Sequence, residues 1–173
     1  MQSLAQFAHY QSPLGRMILV ANAEALTAAF FVGQKYSPPL GCDWREDAAG
    51  ATLRDAIREL REYFAGERTR FEMPLAPTGT TFQREVWRAL ARVEYGETLS
   101  YAELAQRAGH AGKARAIGAA NGRNPIAIML PCHRIVGANG DLTGYAGGLD
   151  RKRALLALES RRLVLRAQGE NRC

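Results

Sequence analysis

Residues 100–134, which read SYAELAQRAGHAGKARAIGAANGRNPIAIMLPCHR, organise the second half of the chain. Ser100 and Glu103 have the spacing of a capping box, which predicts a short helix that ends near Gly109. A second helix is predicted over about residues 113–120. Two short helices around a glycine have the shape of a helix-turn-helix, whose second helix enters the DNA major groove. Such pairs also occur in ordinary cores, so this segment alone leaves DNA binding open.

The predicted second helix combines small side chains with basic ones. Small residues let a helix approach a surface closely, and the charges of Lys113 and Arg115 suit phosphate groups. The residues expected to contact DNA are Lys113, Ala114, Arg115, Ala116, Ala120, Asn121 and Arg123.

Downstream of this pair, an apolar run over residues 126–130 is predicted to be a buried strand that stops at Pro131. Cys132 and His133 follow directly. A thiol becomes a nucleophile when a neighbour removes its proton, and histidine is the usual partner. A single cysteine is more often a small buried apolar residue. The position between a strand and a glycine-rich loop favours chemistry here.

Working outward, the pattern of the first half predicts a small sheet and one helix. Apolar residues spaced by four, three and four predict a helix from Leu53 to Phe64, which Gly66 ends. The predicted strands are residues 7–10, 17–21 and 26–32, with a loop over 33–48, an extended piece over 70–75 and a domain boundary at 76–80.

The rest of the second half is predicted to be mainly helical. Thr80 and Gln83 form a second capping box, which starts a helix that reaches Val93. Residues 135–143 predict a turn or small hairpin, and a last helix begins at about Leu149 with Leu155, Leu158 and Arg162 on one face. We therefore expect an α+β protein with domains 1–79 and 80–162 and a tail, 163–173.

Composition excludes several classes of protein. The 173 residues are 47% hydrophobic and 23% charged, which is typical of globular domains and not of disordered ones. No apolar run approaches the ~18 residues that span a bilayer, and the N-terminus lacks a secretory signal, so we expect a cytosolic protein without a membrane partner. Cys42, Cys132 and Cys173 are too few for a disulfide framework.

The positive charge is concentrated in the second half. Residues 1–79 carry 8 basic and 9 acidic side chains, whereas residues 80–160 carry 11 and 7, and residues 161–173 carry 4 and 1. This asymmetry favours a surface for a polyanion, although solubility alone also explains a basic protein.

Four spaced motifs together resemble the O6-alkylguanine-DNA alkyltransferases, which are suicide DNA-repair proteins. They are Asn124-Pro125, Pro131-Cys132-His133-Arg134, Gly144-Tyr145-Ala146-Gly147-Gly148 and Leu155-Leu156-Ala157-Leu158-Glu159. The resemblance covers roughly residues 80–160 densely, and residues 1–79 are compatible in strand and helix order. It implies an N-terminal ribonuclease H-like domain, followed by a helical domain with the helix-turn-helix and the active-site cysteine loop.

The resemblance also implies catalytic roles. Cys132 is the expected alkyl acceptor, His133 and Glu159 activate it with a water between thiol and imidazole, and Asn124 braces the active-site loop. Tyr101 is expected to donate to the departing guanine. The alternatives are a surface carboxylate for Glu159, a turn former for Asn124 and an inward-packing ring for Tyr101.

The base pocket and the DNA contacts follow from the same resemblance. Arg115 is the expected finger that replaces the flipped nucleotide. The carbonyls of Cys132 and Ile135 accept from the guanine amino group, and a loop of Tyr145, Ala146 and Gly147 closes over the base. Ala146 stands where some members carry serine, so a hydroxyl contact is absent and only the backbone N–H can serve. Ala127 stands where some members carry proline, which leaves open how firmly a bulky benzyl group is held.

The implied partner is double-stranded DNA that contains O6-alkylguanine, and O4-alkylthymine is expected to react as well. We expect no cofactor and a monomer, and side-by-side binding along DNA stays open. Some members bind zinc in the first domain, but this chain offers only His9 and Cys42 there, so we expect no metal. Two rivals remain: a DNA binder without chemistry, which Cys132 argues against, and a cysteine hydrolase with an incidental basic face.

Overall fold

A computed structural model describes residues 5–37, 41 and 43–170, with side chains described as far as residue 164. The first half forms a four-stranded sheet and one helix. The elements are β1 (Gln6–Ser12), β2 (Gly15–Ala21), β3 (Leu26–Phe31), β4 (Arg45–Glu46) and α1 (Ala51–Ala65). The strand order is β3-β2-β1-β4, and all neighbours are antiparallel except β1 and β4. Helix α1 ends at Gly66, whose φ of 73° suits glycine, as predicted.

The second half is mainly helical, so the α+β prediction is confirmed. Its elements are α2 (Thr81–Leu90), β5 (Leu99–Ser100), α3 (Tyr101–Arg107), α4 (Ala114–Gly122), a 3-10 turn (Cys132–Arg134), β6 (Ile135–Val136) and α5 (Leu149–Glu170). Strands β5 and β6 pair in parallel. None of the described helices is both long and apolar enough to cross a membrane.

The helix-turn-helix forms as its local signals predict. Ser100 and Glu103 complete a capping box at the start of α3, and Gly109 turns the chain with a φ of 77°. Ala105 of α3 and Ile117 of α4 are fully buried in the core. Helix α4 runs two residues further than predicted.

The apolar run before Cys132 is not the strand that its composition predicts. Ile126 makes a single bridge to Ala29 of β3, and the chain then turns, with Ile128 at a φ of 72°. The Asn124 side chain accounts for this turn, because it bonds backbone groups of both Ile126 and Leu130. Hydrogen bonds from this side chain to the backbone therefore outweigh the strand propensity of the apolar residues here.

Other departures from the predicted elements are small. Strand β4 lies within the predicted loop, and the extended piece before the boundary makes a bridge from Leu75 to Leu26 instead of a strand. Helix α2 ends before Val93. The segment after β6 is a turn, as predicted, and a bond from the Gly137 N–H to the Asp141 carbonyl closes it. Helix α5 continues past residue 162, so the predicted tail starts inside a helix.

Candidate active site

Cys132 begins the 3-10 turn that follows Pro131, and only 5% of its surface is exposed. Its sulfur accepts a hydrogen bond from Asn124 Nδ2 at 3.1 Å. Burial raises the pKa of the Cys132 thiol to about 11, although the Asn124 hydrogen bond and the charge of Lys152 oppose that rise. The thiol is therefore protonated at neutral pH, and its reaction needs a group that takes the proton.

Asn124 braces the turn that carries the thiol. Its Nδ2 also donates to the Leu130 carbonyl at 2.8 Å and approaches the Ile126 carbonyl at 3.3 Å, while its Oδ1 accepts from the Ile126 N–H. Asn124 thus holds both the backbone before Cys132 and the sulfur itself. A simple turn former would make only the backbone contacts.

The Nε2 side of His133 belongs to a buried ion cluster. Its Nε2 lies 2.8 Å from Glu159 Oε1, and neither side chain is exposed to solvent. A carboxylate only accepts, so Nε2 carries the proton of the neutral ring and Nδ1 is the free acceptor. Nδ1 is buried and has no hydrogen-bond partner among the described residues. Burial lowers the pKa of His133 and keeps the ring neutral, although Glu159 opposes that effect.

Glu159 is the hub of this cluster and not the surface carboxylate of the alternative. Its Oε2 accepts from Arg134 Nε and from the Gly96 N–H, both at 3.0 Å. Its Oε1 accepts from Tyr63 at 2.7 Å and Arg134 Nη2 at 2.9 Å, besides His133. Burial would raise the pKa of Glu159, but His133 and Arg134 outweigh burial and lower it to about 2. Glu159 stays ionised through the neutral range.

Sequence reasoning missed three buried polar residues of this site: Tyr63, Arg134 and Lys152. Arg134 belongs to the Pro131-Cys132-His133-Arg134 motif, but no role was predicted for its side chain. Besides bonding Glu159, its guanidinium donates to the Val93 carbonyl at 2.6 Å. Lys152 resembles any basic residue on an amphipathic helix, yet it is fully buried and donates to the carbonyls of Ile135 and Thr143. Burial lowers the pKa of Lys152 to about 8, against the effect of the Cys132 charge. Nothing local in the sequence marks these contacts.

The loop predicted to close over a base is anchored from several sides. Backbone groups fix it, since the Ala146 carbonyl accepts from the Lys35 N–H at 3.1 Å and the Gly147 carbonyl accepts from Arg151 at 2.8 Å. The hydroxyl of Tyr145 is buried without a hydrogen-bond partner among the described residues. The hydroxyl of Tyr101 donates to the Thr143 carbonyl at 3.0 Å, so its first partner is this same loop.

Helix α4 presents only part of the predicted DNA-contacting set to solvent. Lys113, Arg115, Ala116 and Arg123 are exposed and Ala114 is half-buried. Ala120 and Asn121 are instead buried, at 3% and 2% exposure, so the structure does not present them on the surface where the prediction puts DNA. They continue the inward face that starts at Ile117; Trp87 donates to the Ala120 carbonyl, and the Asn121 amide lies 3.5 Å from the Cys132 carbonyl.

Comparisons with known proteins agree with this arrangement. The family model described as the 6-O-methylguanine DNA methyltransferase DNA-binding domain matches residues 81–161, and that of the family's ribonuclease-like domain matches residues 6–77. The chain belongs to the 6-O-methylguanine DNA methyltransferase family. The two matches place Tyr63 in the ribonuclease-like domain and Glu159 in the DNA-binding domain of this methyltransferase family.

Individual relatives cover nearly the whole chain. A methylated-DNA–protein-cysteine methyltransferase of Mycolicibacterium paratuberculosis is 48% identical over 91% of this chain and 94% of its own. One from Methanosarcina acetivorans is 47% identical over 88% of this chain and 97% of its own. The crystal structure of Mycobacterium tuberculosis OGT in complex with DNA has a TM-score of 0.83 at 45% identity and covers 91% of this chain and 94% of its own.

Metal binding is not decided by these comparisons. Within the described residues, no group of three or more histidine, cysteine, aspartate or glutamate side chains is placed to hold a metal ion. Cys42 and Cys173 lie outside the described residues, so the absence of zinc stays a prediction.

Proposed function

We propose that this protein repairs DNA directly, by moving a methyl or other alkyl group from O6 of guanine onto Cys132. The observation that carries the proposal is the buried thiol on the Asn124 brace, followed directly by the His133–Glu159 pair. Membership of the methyltransferase family and the DNA complex of the Mycobacterium tuberculosis relative support DNA as the partner. O4-alkylthymine is a second expected substrate, because it presents the same alkyl ether to the thiol.

The thiol must lose its proton for the reaction to proceed. Its pKa of about 11 leaves little thiolate at neutral pH, and His133 Nδ1 is the acceptor that the Glu159 bond leaves free. The Cys132 sulfur then attacks the alkyl carbon, so that an S–C bond forms and the C–O6 bond breaks. The electron pair stays on guanine, and Tyr101 supplies the proton that neutralises it.

The target base must first leave the duplex. The thiol of Cys132 is buried and cannot reach the O6-alkyl group of a stacked base, so the nucleotide is extruded at a cost of a few kcal/mol, which a damaged pair reduces. Arg115 is exposed on α4 between two alanines, Ala114 and Ala116, which suits a side chain that enters the stack. Lys113 and Arg123 are exposed at the two ends of this helix, and their charges suit phosphate contacts.

Each molecule acts once, because a thioether on Cys132 resists hydrolysis and the protein is left alkylated. One chain supplies the Cys132 thiol, the His133 ring that takes its proton and the Glu159 carboxylate that orients the ring, so a monomer suffices. The reaction as written uses no cofactor. Side-by-side binding along DNA is compatible with this scheme and is tested separately by the shape of the binding isotherm.

Mass spectrometry after mixing with a methylated-guanine duplex tests the proposal. We expect one adduct with the mass of a CH2 group, on the Cys132 peptide, and none with Cys132→Ser, because a serine hydroxyl is far from ionised at neutral pH. Cys42→Ser and Cys173→Ser are the matched controls and should transfer normally. Duplex binding without an adduct would favour the DNA binder, and repeated turnover without DNA would favour the cysteine hydrolase.

A further inference from the structure

We propose that Tyr63, in the N-terminal domain, is a positioning residue for alkyl transfer whose hydroxyl fixes the Glu159 carboxylate that orients His133. This proposal rests on the proposed function. Tyr63 lies on α1 and is fully buried, and its hydroxyl is 2.7 Å from Glu159 Oε1. The two residues are 96 positions apart and belong to different family domains.

The hydroxyl completes the donor set of the carboxylate. Five donors among the described residues bond Glu159, and Tyr63 is the one that comes from the N-terminal domain. Tyr63 shares Oε1 with the His133 ring, so it limits how far the carboxylate can rotate around that bond. The position of Glu159 in turn sets the orientation of the imidazole.

The hydroxyl also controls where the proton rests. A carboxylate whose lone pairs are occupied by donors has a low affinity for a proton. The proton that His133 takes from the thiol then stays on the ring and does not pass to Glu159. Tyr63 remains a donor throughout, because burial first, and then the charge of Glu159, raise the pKa of its phenol well above its ordinary value.

The charged and titratable groups around this bond come from several elements. Arg134 of the 3-10 turn holds both carboxylate oxygens, and its guanidinium lies 5.7 Å from the ring centre of Tyr95. The Tyr95 ring in turn lies 6.0 Å from that of Tyr63. Arg134 supplies the charge that balances Glu159, whereas Tyr63 adds a neutral donor. Removal of the Tyr63 hydroxyl therefore leaves the net charge of the cluster unchanged.

A purely structural role is the competing explanation, since the Tyr63 ring packs against Phe64, Phe71 and Tyr95. Tyr63→Phe separates the two roles, because it keeps the ring and removes only the hydroxyl. Tyr10→Phe is the matched control: Tyr10 is a buried tyrosine of β1 in the same domain that makes no hydrogen bond to Glu159 among the described contacts.

The experiment measures the single-turnover rate of methyl transfer from a duplex across pH, together with duplex affinity. We expect Tyr63→Phe to slow transfer about 10-fold, the equivalent of one charge-assisted hydrogen bond, with an unchanged Kd. The acid limb of the rate should move to higher pH, since Glu159 with fewer donors strengthens its hold on the His133 proton. Tyr10→Phe should change neither.

A spectroscopic measurement keeps the test decisive if Tyr63→Phe also lowers the melting temperature. The chain has three histidines, so 15N labelling resolves the His133 ring, and its titration midpoint is read at low temperature where both proteins are folded. An upward shift in Tyr63→Phe alone supports the proposal. A wild-type rate profile and midpoint in Tyr63→Phe would overturn it and leave the proposed function intact. Absence of transfer by the wild-type protein would overturn the function itself.

Discussion

Asn124 Nδ2 lies 3.1 Å from Cys132 Sγ and bonds the buried thiol through a neutral amide. A neutral donor stabilises the thiolate and adds no charge to that of the nearby buried Lys152. Burial still raises the pKa of the thiol to about 11, so the bond moderates that rise and does not reverse it. Under the proposed function, the thiol therefore reacts only once His133 takes its proton.

Asn124→Ala should slow transfer to a free alkylguanine base and also destabilise the fold. The thiolate loses a donor, and the backbone groups of Ile126 and Leu130 lose their partners. Each buried group left unbonded costs about 1–3 kcal/mol. Single-turnover rates and urea unfolding measure the two effects.

Asn22→Ala is the matched control for this change. In the contacts described, the Asn22 side chain accepts only from backbone N–H groups of the β2–β3 turn, those of Glu24 and Ala25. Its loss should lower the free energy of unfolding and leave the transfer rate unchanged. An Asn124→Ala protein with a wild-type rate would show that the amide does not assist the nucleophile.

Alkylation of Cys132 should destabilise the folded protein. The thiol is buried and accepts from Asn124, so an added alkyl group needs volume in a closed site and weakens that hydrogen bond. Overpacking of this kind typically costs about 1–3 kcal/mol. Thermal melts before and after reaction with a methylated duplex should show a lower midpoint afterwards. Cys132→Ser treated in the same way should keep its midpoint, and a higher midpoint for the alkylated protein would contradict the prediction.

Acid should remove the stability that Glu159 contributes. The pKa of Glu159 is about 2 in the folded protein against 4.5 for the free group, so its contribution is complete above pH 4.5 and is lost as pH falls toward 2. The shift corresponds to about 3 kcal/mol. The lowered pKa of His133 acts in the same direction, since a buried neutral ring must take up a proton. Urea unfolding across pH measures the free energy of unfolding of the wild-type and Glu159→Gln proteins. The difference between these two free energies should become smaller in acid, and a difference that does not change with pH would contradict this assignment.

Local signals explain which parts of the fold could be predicted from the sequence. The capping boxes at Thr80 and Ser100 act within four residues, and both form. The glycine turn of the helix-turn-helix and the end of α1 are equally local, and both were predicted. The motifs around Cys132 identified the family because several of them stand in the right order.

The remaining features depend on contacts that the chain makes only after it folds. Tyr63 and Glu159 are far apart in sequence, and nothing near Tyr63 distinguishes it from a core tyrosine. Ile128 leaves the strand conformation because Asn124 holds the backbone on both sides of it. Ala120 was predicted to contact DNA because it lies on the same helix as Lys113 and Arg115. It is three residues after Ile117, however, so it lies on the buried face of that helix.

Arg115→Ala should slow repair of a methylated duplex and leave reaction with the free alkylguanine base nearly unchanged. A guanidinium that enters the stack holds the gap open and offsets part of the unstacking cost, whereas a free base needs no extrusion. Lys113→Ala, at the N-cap of the same helix, is the control for a plain phosphate contact. It should weaken binding to every duplex and lower the salt slope by about one unit, with the rate restored at saturating protein. Single-turnover rates at saturation separate the two roles: a normal saturated duplex rate for Arg115→Ala, or equal slowing on both substrates, would exclude a role in base extrusion.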